Sequence, residues 1–158
     1  MSETKDAPLP AFDLDRFTPY RLAVAAQRTS EELARQYRDR FGITIPQWRV
    51  LVHLAQSGDV SVREIEARVA MDKSKVSRAA SRLEAAGYIA KTVNDVDRRL
   101  VRLILTPRGR ALMAELLPLA AAYQREIEAR LGAAFAGLEA GLQSLLGEAA
   151  KEGLAQES

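Results

Sequence analysis

The sequence contains no cysteine and a single histidine, His53, and these two scarcities exclude a good deal of chemistry. Without thiols there can be no disulfide, zinc–thiolate site, thiol nucleophile or cysteine-based redox sensor. One imidazole, with no HExxH pattern around it, gives no basis for a zinc site, so neither a metal nor any other cofactor is expected. Glycine and proline number only 9 and 6 of 158 residues and aromatics reach only 6%, which sets aside collagen-like and Pro/Gly-rich disordered classes. No run of about 18 apolar residues occurs, and the opening MSETKDAPLPAF lacks the basic start and apolar stretch of a secretory signal; no membrane partner is expected, and the expected location is the cytoplasm. No GxSxG or phosphate-cradling glycine loop accompanies His53. The carboxylate pairs Glu31–Glu32 and Asp95/Asp97 fall on a helix surface and a turn, so catalysis is not expected.

What is present is helix-forming and globular: 47% apolar and 28% charged residues, rich in alanine, leucine, arginine and glutamate, in a chain long enough for one domain with a sizeable core, or at most one small domain plus an interaction appendage. The net charge of +2 hides a strong division along the chain. Residues 1–60 carry 8 basic and 8 acidic residues, residues 61–110 carry 12 and 6, and residues 111–158 carry 3 and 7. A cationic middle segment suits a polyanionic partner, although a solvated basic face with no partner would have the same composition.

Hydrophobic periodicity orders the elements. Residues 1–12 read as a disordered arm and 152–158 as a flexible tail. From Leu14 to Phe41, Leu22, Ala26, Leu33, Tyr37 and Phe41 recur at helical spacing, with a break expected near Pro19 and a stop at Gly42. Thr44-Ile-Pro-Gln47 is a capping box opening a second helix, and Ser61-Val-Arg-Glu64 opens a short third one. After a turn at Ala70-Met71, Asp72 is placed to cap a fourth helix, whose stripe Val76, Ala79, Ala80, Leu83 ends at Gly87. The period then becomes two: Tyr88–Val93 and Leu100–Leu105 flank a charged turn and read as a β-hairpin. Thr106-Pro107 opens a long helix with the stripe Leu112, Leu116, Leu119, Tyr123, Ile127 and Leu131, kinked at Pro118, and a last helix is expected over about 138–151.

Two short helices joined by a tight turn, the second basic on one face, followed at once by a hairpin with a basic tip, make a winged helix-turn-helix pattern. The fold class is therefore mainly α with a small β-hairpin wing and flanking helices. The face opposite the stripe carries Lys73, Ser74, Lys75, Ser77 and Arg78, positioned for base edges in a major groove, with Arg82 a turn further on toward phosphate. Ser61 and Arg63, at the start of the third helix, join this set. Arg98 and Arg99 at the hairpin tip suit a minor groove, with Asp97 holding an arginine extended. A surface helix basic only for solubility, and an ordinary polar turn, are the alternatives.

The stretch VSRAASRLEAAGYIAKTVNDVDRRLVRLILTPRGR, from Val76 to Arg110, resembles the core of the MarR family of regulators: Leu-Glu-x-x-Gly (83–87), an Asp-x-Arg wing (97–99) and Leu-Thr-x-x-Gly (105–109). The resemblance extends upstream through Gly42 to Leu51 and covers most of residues 20–150. Lys91 departs from the arginine many relatives carry, which keeps charge but loses a planar fork. The resemblance implies that Arg99 is the minor-groove arginine, Asp97 its orienter and Arg98 an auxiliary contact. It also implies a homodimer on double-stranded DNA, with 42–106 as the DNA-binding domain and 13–41 plus 107–151 as the dimerisation region; packing of those helices within a monomer is the alternative. It further implies release by a small aromatic or phenolic effector, such as an aromatic acid, in a crevice between the first, second and fifth helices, where Arg16, Tyr20, Trp48, Arg49 and His53 are the candidates. A sequence-specific regulator, expected to be a repressor of a pseudo-palindromic operator, is the leading reading. A winged-helix protein-interaction module and a regulator without an effector are the rivals.

Overall fold

The computed structural model describes residues 7–69, 71–93, 95–97 and 101–147. A single 3-10 turn at Leu14–Arg16 leads into α1 (Thr18–Phe41), followed by α2 (Ile45–Ser57), β1 (Val60–Ser61), α3 (Val62–Arg68), α4 (Lys73–Ala85), β2 (Ile89–Val93), β3 (Val101–Leu105), α5 (Pro107–Leu131) and α6 (Ala134–Leu146). The order is that of a winged helix-turn-helix flanked by long helices at both ends.

Local chemistry sets the boundaries. The helical stretch expected from Leu14 is interrupted at Phe17, beside Pro19: Pro19 lies in the first turn of α1, where the missing N–H costs nothing, and α1 then runs to Gly42 in the left-handed region. Both expected capping boxes are formed, Thr44 with Gln47 and Ser61 with Glu64. Asp72 occupies the N-cap position of α4, but its side chain makes no capping hydrogen bond. Pro118 lies within α5, which remains one helical element from Pro107 to Leu131. The last helix begins four residues earlier than expected, at Ala134. Ala70, in the expected turn, and the terminal segments 1–6 and 148–158 lie outside the described residues.

The hairpin is part of a larger sheet than its sequence suggests. β3 is the central strand, paired antiparallel with β2 from Ile89↔Leu105 to Val93↔Val101 and on its other side with the two residues of β1, Val60↔Leu103 and Ser61↔Arg102. Leu103 is fully buried where the two pairings meet. The core runs from Ala34 and Tyr37 of α1 through Val50, Leu51 and Leu54 of α2 and Ile65 of α3. It continues through Val76 and Leu83 of α4 to Leu112, Met113 and Leu116 of α5. Among the described residues no helix is long and apolar enough to cross a membrane.

Candidate nucleic-acid interface

Helix α4 seats Val76, Ala79, Ala80 and Leu83 in the core and packs chiefly against α2. That arrangement fixes which side chains it presents outward: Lys73, Ser74, Lys75, Ser77, Arg78, Ser81 and Arg82 are all exposed. The side chains of Lys73, Lys75, Arg78 and Arg82 make no hydrogen bond or ion pair with another described residue. Some arginines elsewhere are paired with carboxylates: Arg38 with Glu31 at 3.4 Å, Arg130 with Glu32 at 3.1 Å, and Arg102 with Asp59.

Two of the unpaired cations also sit against the local electrostatics. Lys73 and Lys75 occupy the first turn of α4, which contains no acidic residue, although the positive end of the helix dipole favours carboxylates there. Among the described residues neither lysine has an ion-pair partner, and both present their charge to solvent beside the N-cap residue Asp72.

The other expected DNA contacts are distributed around this helix. Arg63 is exposed on α3, while Ser61 spends its hydroxyl oxygen as acceptor from the Glu64 N–H at 3.1 Å and its N–H on the Glu64 carboxylate at 3.0 Å. Asp97 is half-buried beside the hairpin turn. Arg98 and Arg99, the expected wing arginines, lie outside the described residues. Lys91 on β2 lies 3.9 Å from Glu84 of α4, tying the first strand of the wing to the end of that helix.

Sequence periodicity gave no sign of Asp59, because it lies 43 positions before its partner. The Arg102 guanidinium donates through Nε to the Asp59 carboxylate and through Nη2 to the Asp59 carbonyl at 2.9 Å. The central wing strand is thereby clamped to the loop that follows α2.

The expected effector residues separate into two groups. A hollow of about 300 Å³ opens between α1, α2 and α5, lined by Trp48 and Arg49 together with Tyr37, Tyr123, Leu33 and Ile127. Trp48 stacks on Tyr37 with centroids 5.5 Å apart and planes 21° from parallel. Burial pushes the Tyr37 phenol up to about 12. Burial, together with a hydrogen bond to Glu32 at 2.6 Å, raises Tyr123 to about 12 as well. Both phenols are therefore neutral, and the Tyr123 O–H already donates to Glu32. Arg16, Tyr20 and His53 do not line it. The first two are exposed around the start of α1, and His53 is half-buried, where desolvation and then the nearby Arg68 charge hold its pKa below 6.5. Trp48 and Arg49 are consecutive on α2, whereas His53, one turn beyond Arg49, lies near Arg68 of α3.

The three-stranded sheet, the helix-turn-helix and the exposed basic α4 define a winged helix-turn-helix protein. Residues 41–100 match the model of the MarR family. The chain is 38% identical over 79 residues to the HTH-type transcriptional repressor MdtR of Bacillus subtilis, covering 50% of this chain and 51% of the relative. It is 31% identical over 98 residues to the HTH-type transcriptional regulator TtmR of Methylorubrum extorquens, covering 60% of this chain and 50% of the relative. It thus spans about half the length of these curated relatives. A solved structure of Bordetella bronchiseptica BpsR, described in terms of the regulation of its DNA binding by 6-hydroxynicotinic acid, superposes with a TM-score of 0.73. That match is 26% identical and covers 87% of this chain and 98% of BpsR. Over residues 41–100 the chain is thus similar to the MarR family, and its fold is that of a winged helix-turn-helix protein.

Proposed function

We propose that this protein is a sequence-specific, double-stranded DNA-binding transcriptional regulator that acts as a homodimer and represses through a pseudo-palindromic operator. The observation that carries the proposal is the row of unpaired cations on α4, two of them in a first turn whose dipole repels them. The names of the relatives, one of them a repressor, support it. On this reading residues 42–106 hold the DNA-reading module, and 13–41 with 107–151 hold the dimer. Exposed apolar side chains at Phe12, Leu14, Phe17, Leu138, Leu145 and Leu146 support the dimer.

The test is selection of bound duplexes from random DNA followed by affinity measurement across a salt series. The expected result is a two-fold site with half-site centres about 10 base pairs apart. The logarithm of affinity should fall linearly with the logarithm of salt concentration. Absence of salt-dependent binding to any duplex would instead favour a protein-interaction module.

The hollow between α1, α2 and α5 favours control by a small aromatic acid over an effector-free regulator. It is lined by Trp48 as an aromatic wall, by Arg49 and by the neutral phenol of Tyr37. The description of BpsR supports the same class of ligand. Thermal shifts with a panel of hydroxylated aromatic acids should reveal at least one stabilising compound, and Arg49→Ala should abolish its effect. No shift with any compound would leave the effector-free regulator as the reading.

A further inference from the structure

The exposed surface of α4 divides into two stripes with different side-chain chemistry. Ser74, Ser77 and Ser81 repeat at i, i+3 and i+7. Lys75, Arg78 and Arg82 repeat with the same spacing one position later, and the core residues Val76, Ala79 and Leu83 one position later still. Successive residues are rotated by about 100°, and Ala80 is buried as well, so the line facing directly away from the core runs between the two stripes, close to Ser74. The cations lie to one side of it, on the flank toward α2, and the serines to the other.

That flank meets a second element. Lys75, Arg78, Ala79 and Arg82 line a hollow of about 370 Å³ whose far wall is Thr44, Pro46 and Gln47 at the start of α2. The N–H groups there are already committed: Thr44 N–H to the Gln47 side chain at 3.0 Å, Gln47 N–H to the Thr44 hydroxyl at 3.3 Å, and Trp48 N–H to the Thr44 carbonyl at 2.9 Å. Pro46 has none. The attraction for an anion in this hollow therefore comes from the three side-chain cations rather than from the end of the helix.

From this geometry we infer a division of labour on α4: Lys75, Arg78 and Arg82 take backbone phosphates along the α2 side of the groove, and Ser74, Ser77 and Ser81 read base edges. The inference rests on the proposed DNA-binding function and deepens it. A helix lying in a major groove turns its outermost face to the floor and its flanks to the phosphate walls. Serine is short enough for the helix to approach the floor closely, and its hydroxyl can donate or accept there. The long cations on the flank reach sideways, toward the wall that the start of α2 also faces. This assignment reverses the sequence-based expectation that Lys75 and Arg78 read bases.

The test compares the full-length protein with Lys75→Gln, Arg82→Gln, Ser74→Ala and Ser77→Ala. The probes are a duplex recovered by selection and a shuffled version of it, each measured across a potassium chloride series. Lys75→Gln and Arg82→Gln are expected to weaken both duplexes by the same factor and to reduce the salt slope by about 1 each. Ser74→Ala and Ser77→Ala are expected to keep the slope but lower the ratio of selected to shuffled affinity by about fivefold or more. The assignment is overturned if the lysine and arginine variants change that ratio at an unaltered slope, or if both serine variants leave the ratio intact. If the unmodified protein binds neither duplex in a salt-dependent way, the DNA-binding function itself fails. All four positions are exposed, and an unchanged melting temperature verifies that each variant folds.

Discussion

The glycine and threonine of Leu-Thr-x-x-Gly have physical work at the residue scale that the motif alone does not reveal. A Cβ on Gly109 would lie 2.0 Å from the Tyr88 carbonyl oxygen and 3.2 Å from Leu105 Cδ2. The Thr106 hydroxyl donates to the Gly87 carbonyl at 2.6 Å and accepts from the Gly109 N–H at 3.1 Å, while the Thr106 N–H donates to the Tyr88 carbonyl at 3.0 Å. Arg108 covers the Tyr88 ring at 4.9 Å. The two glycine motifs thus meet in space and weld the end of α4 to the start of α5. Because the clash is with backbone, Gly109→Ala should destabilise the fold by about 3 kcal/mol, read as a lower denaturation midpoint at an unchanged slope; a change under about 0.5 kcal/mol, the range usual for neutral surface substitutions, would show that the junction can open. His53 gives a second prediction at this scale. Its folded pKa lies below 6.5 because burial, and then the Arg68 charge, disfavour the imidazolium. As pH falls through 6.5 the unfolded chain takes up the proton first, so stability falls with pH down to the folded value and is insensitive to this group above 6.5. Urea titrations at pH 7.5 and 5.5 should show this loss in the native protein and a smaller one in His53→Gln. An equal loss in both would remove His53 as its source.

At the scale of elements, the sheet was the part least legible in the sequence. Val60–Ser61 is too short to carry a period, and its pairing with β3 depends on residues more than forty positions away. The stop of α1 at Gly42 and the capping boxes of α2 and α3 were legible because their chemistry is local, and the break near Pro19 falls at Phe17, where proline in the first turn marks the start of α1. The exposed face of α4 could be read from its period alone, but the hollow beside it could not, since Thr44 and Gln47 come from a different helix. Of the effector candidates, Trp48 and Arg49 line the hollow whose other walls come from α1 and α5, while Arg16, Tyr20 and His53 do not. The Asp59–Arg102 clamp follows from this sheet and has a separable consequence. An exposed ion pair contributes about 1 kcal/mol or less, so Asp59→Asn should barely move the urea midpoint. It should nevertheless weaken DNA binding several-fold, because β3 leads out of the wing and would lose its anchor to α2. Binding equal to that of the native protein would mean that the β1 pairing alone holds the strand.

For the whole molecule, the distribution of apolar surface points beyond one chain. Tyr123 donates to Glu32 at 2.6 Å and Arg130 pairs with the same carboxylate, which locks α5 to α1. Helix α6 has no such tie to α1. Its thirteen residues include one charged side chain, Glu139, and none is buried. Between α6 and α1 lies an apolar groove of about 470 Å³, lined by Leu22, Ala26, Ile127, Phe135, Leu138 and Leu145 among others. A helix this apolar gains little from facing water, and burial of such surface is worth about 25 cal/mol per Å², so a second copy covering it would hold both helices in place. Leu145 is 65% exposed, and a charge there leaves the interior of one chain untouched. Leu145→Glu should therefore retain the helical circular dichroism of a folded chain while shifting sedimentation equilibrium from dimer toward monomer. Its affinity for a two-half-site duplex should fall toward that for a single half-site, because the second contact no longer forms within the same particle. A variant that sediments as the native protein does, with undiminished affinity for both duplexes, would place the two-fold contact elsewhere on the surface.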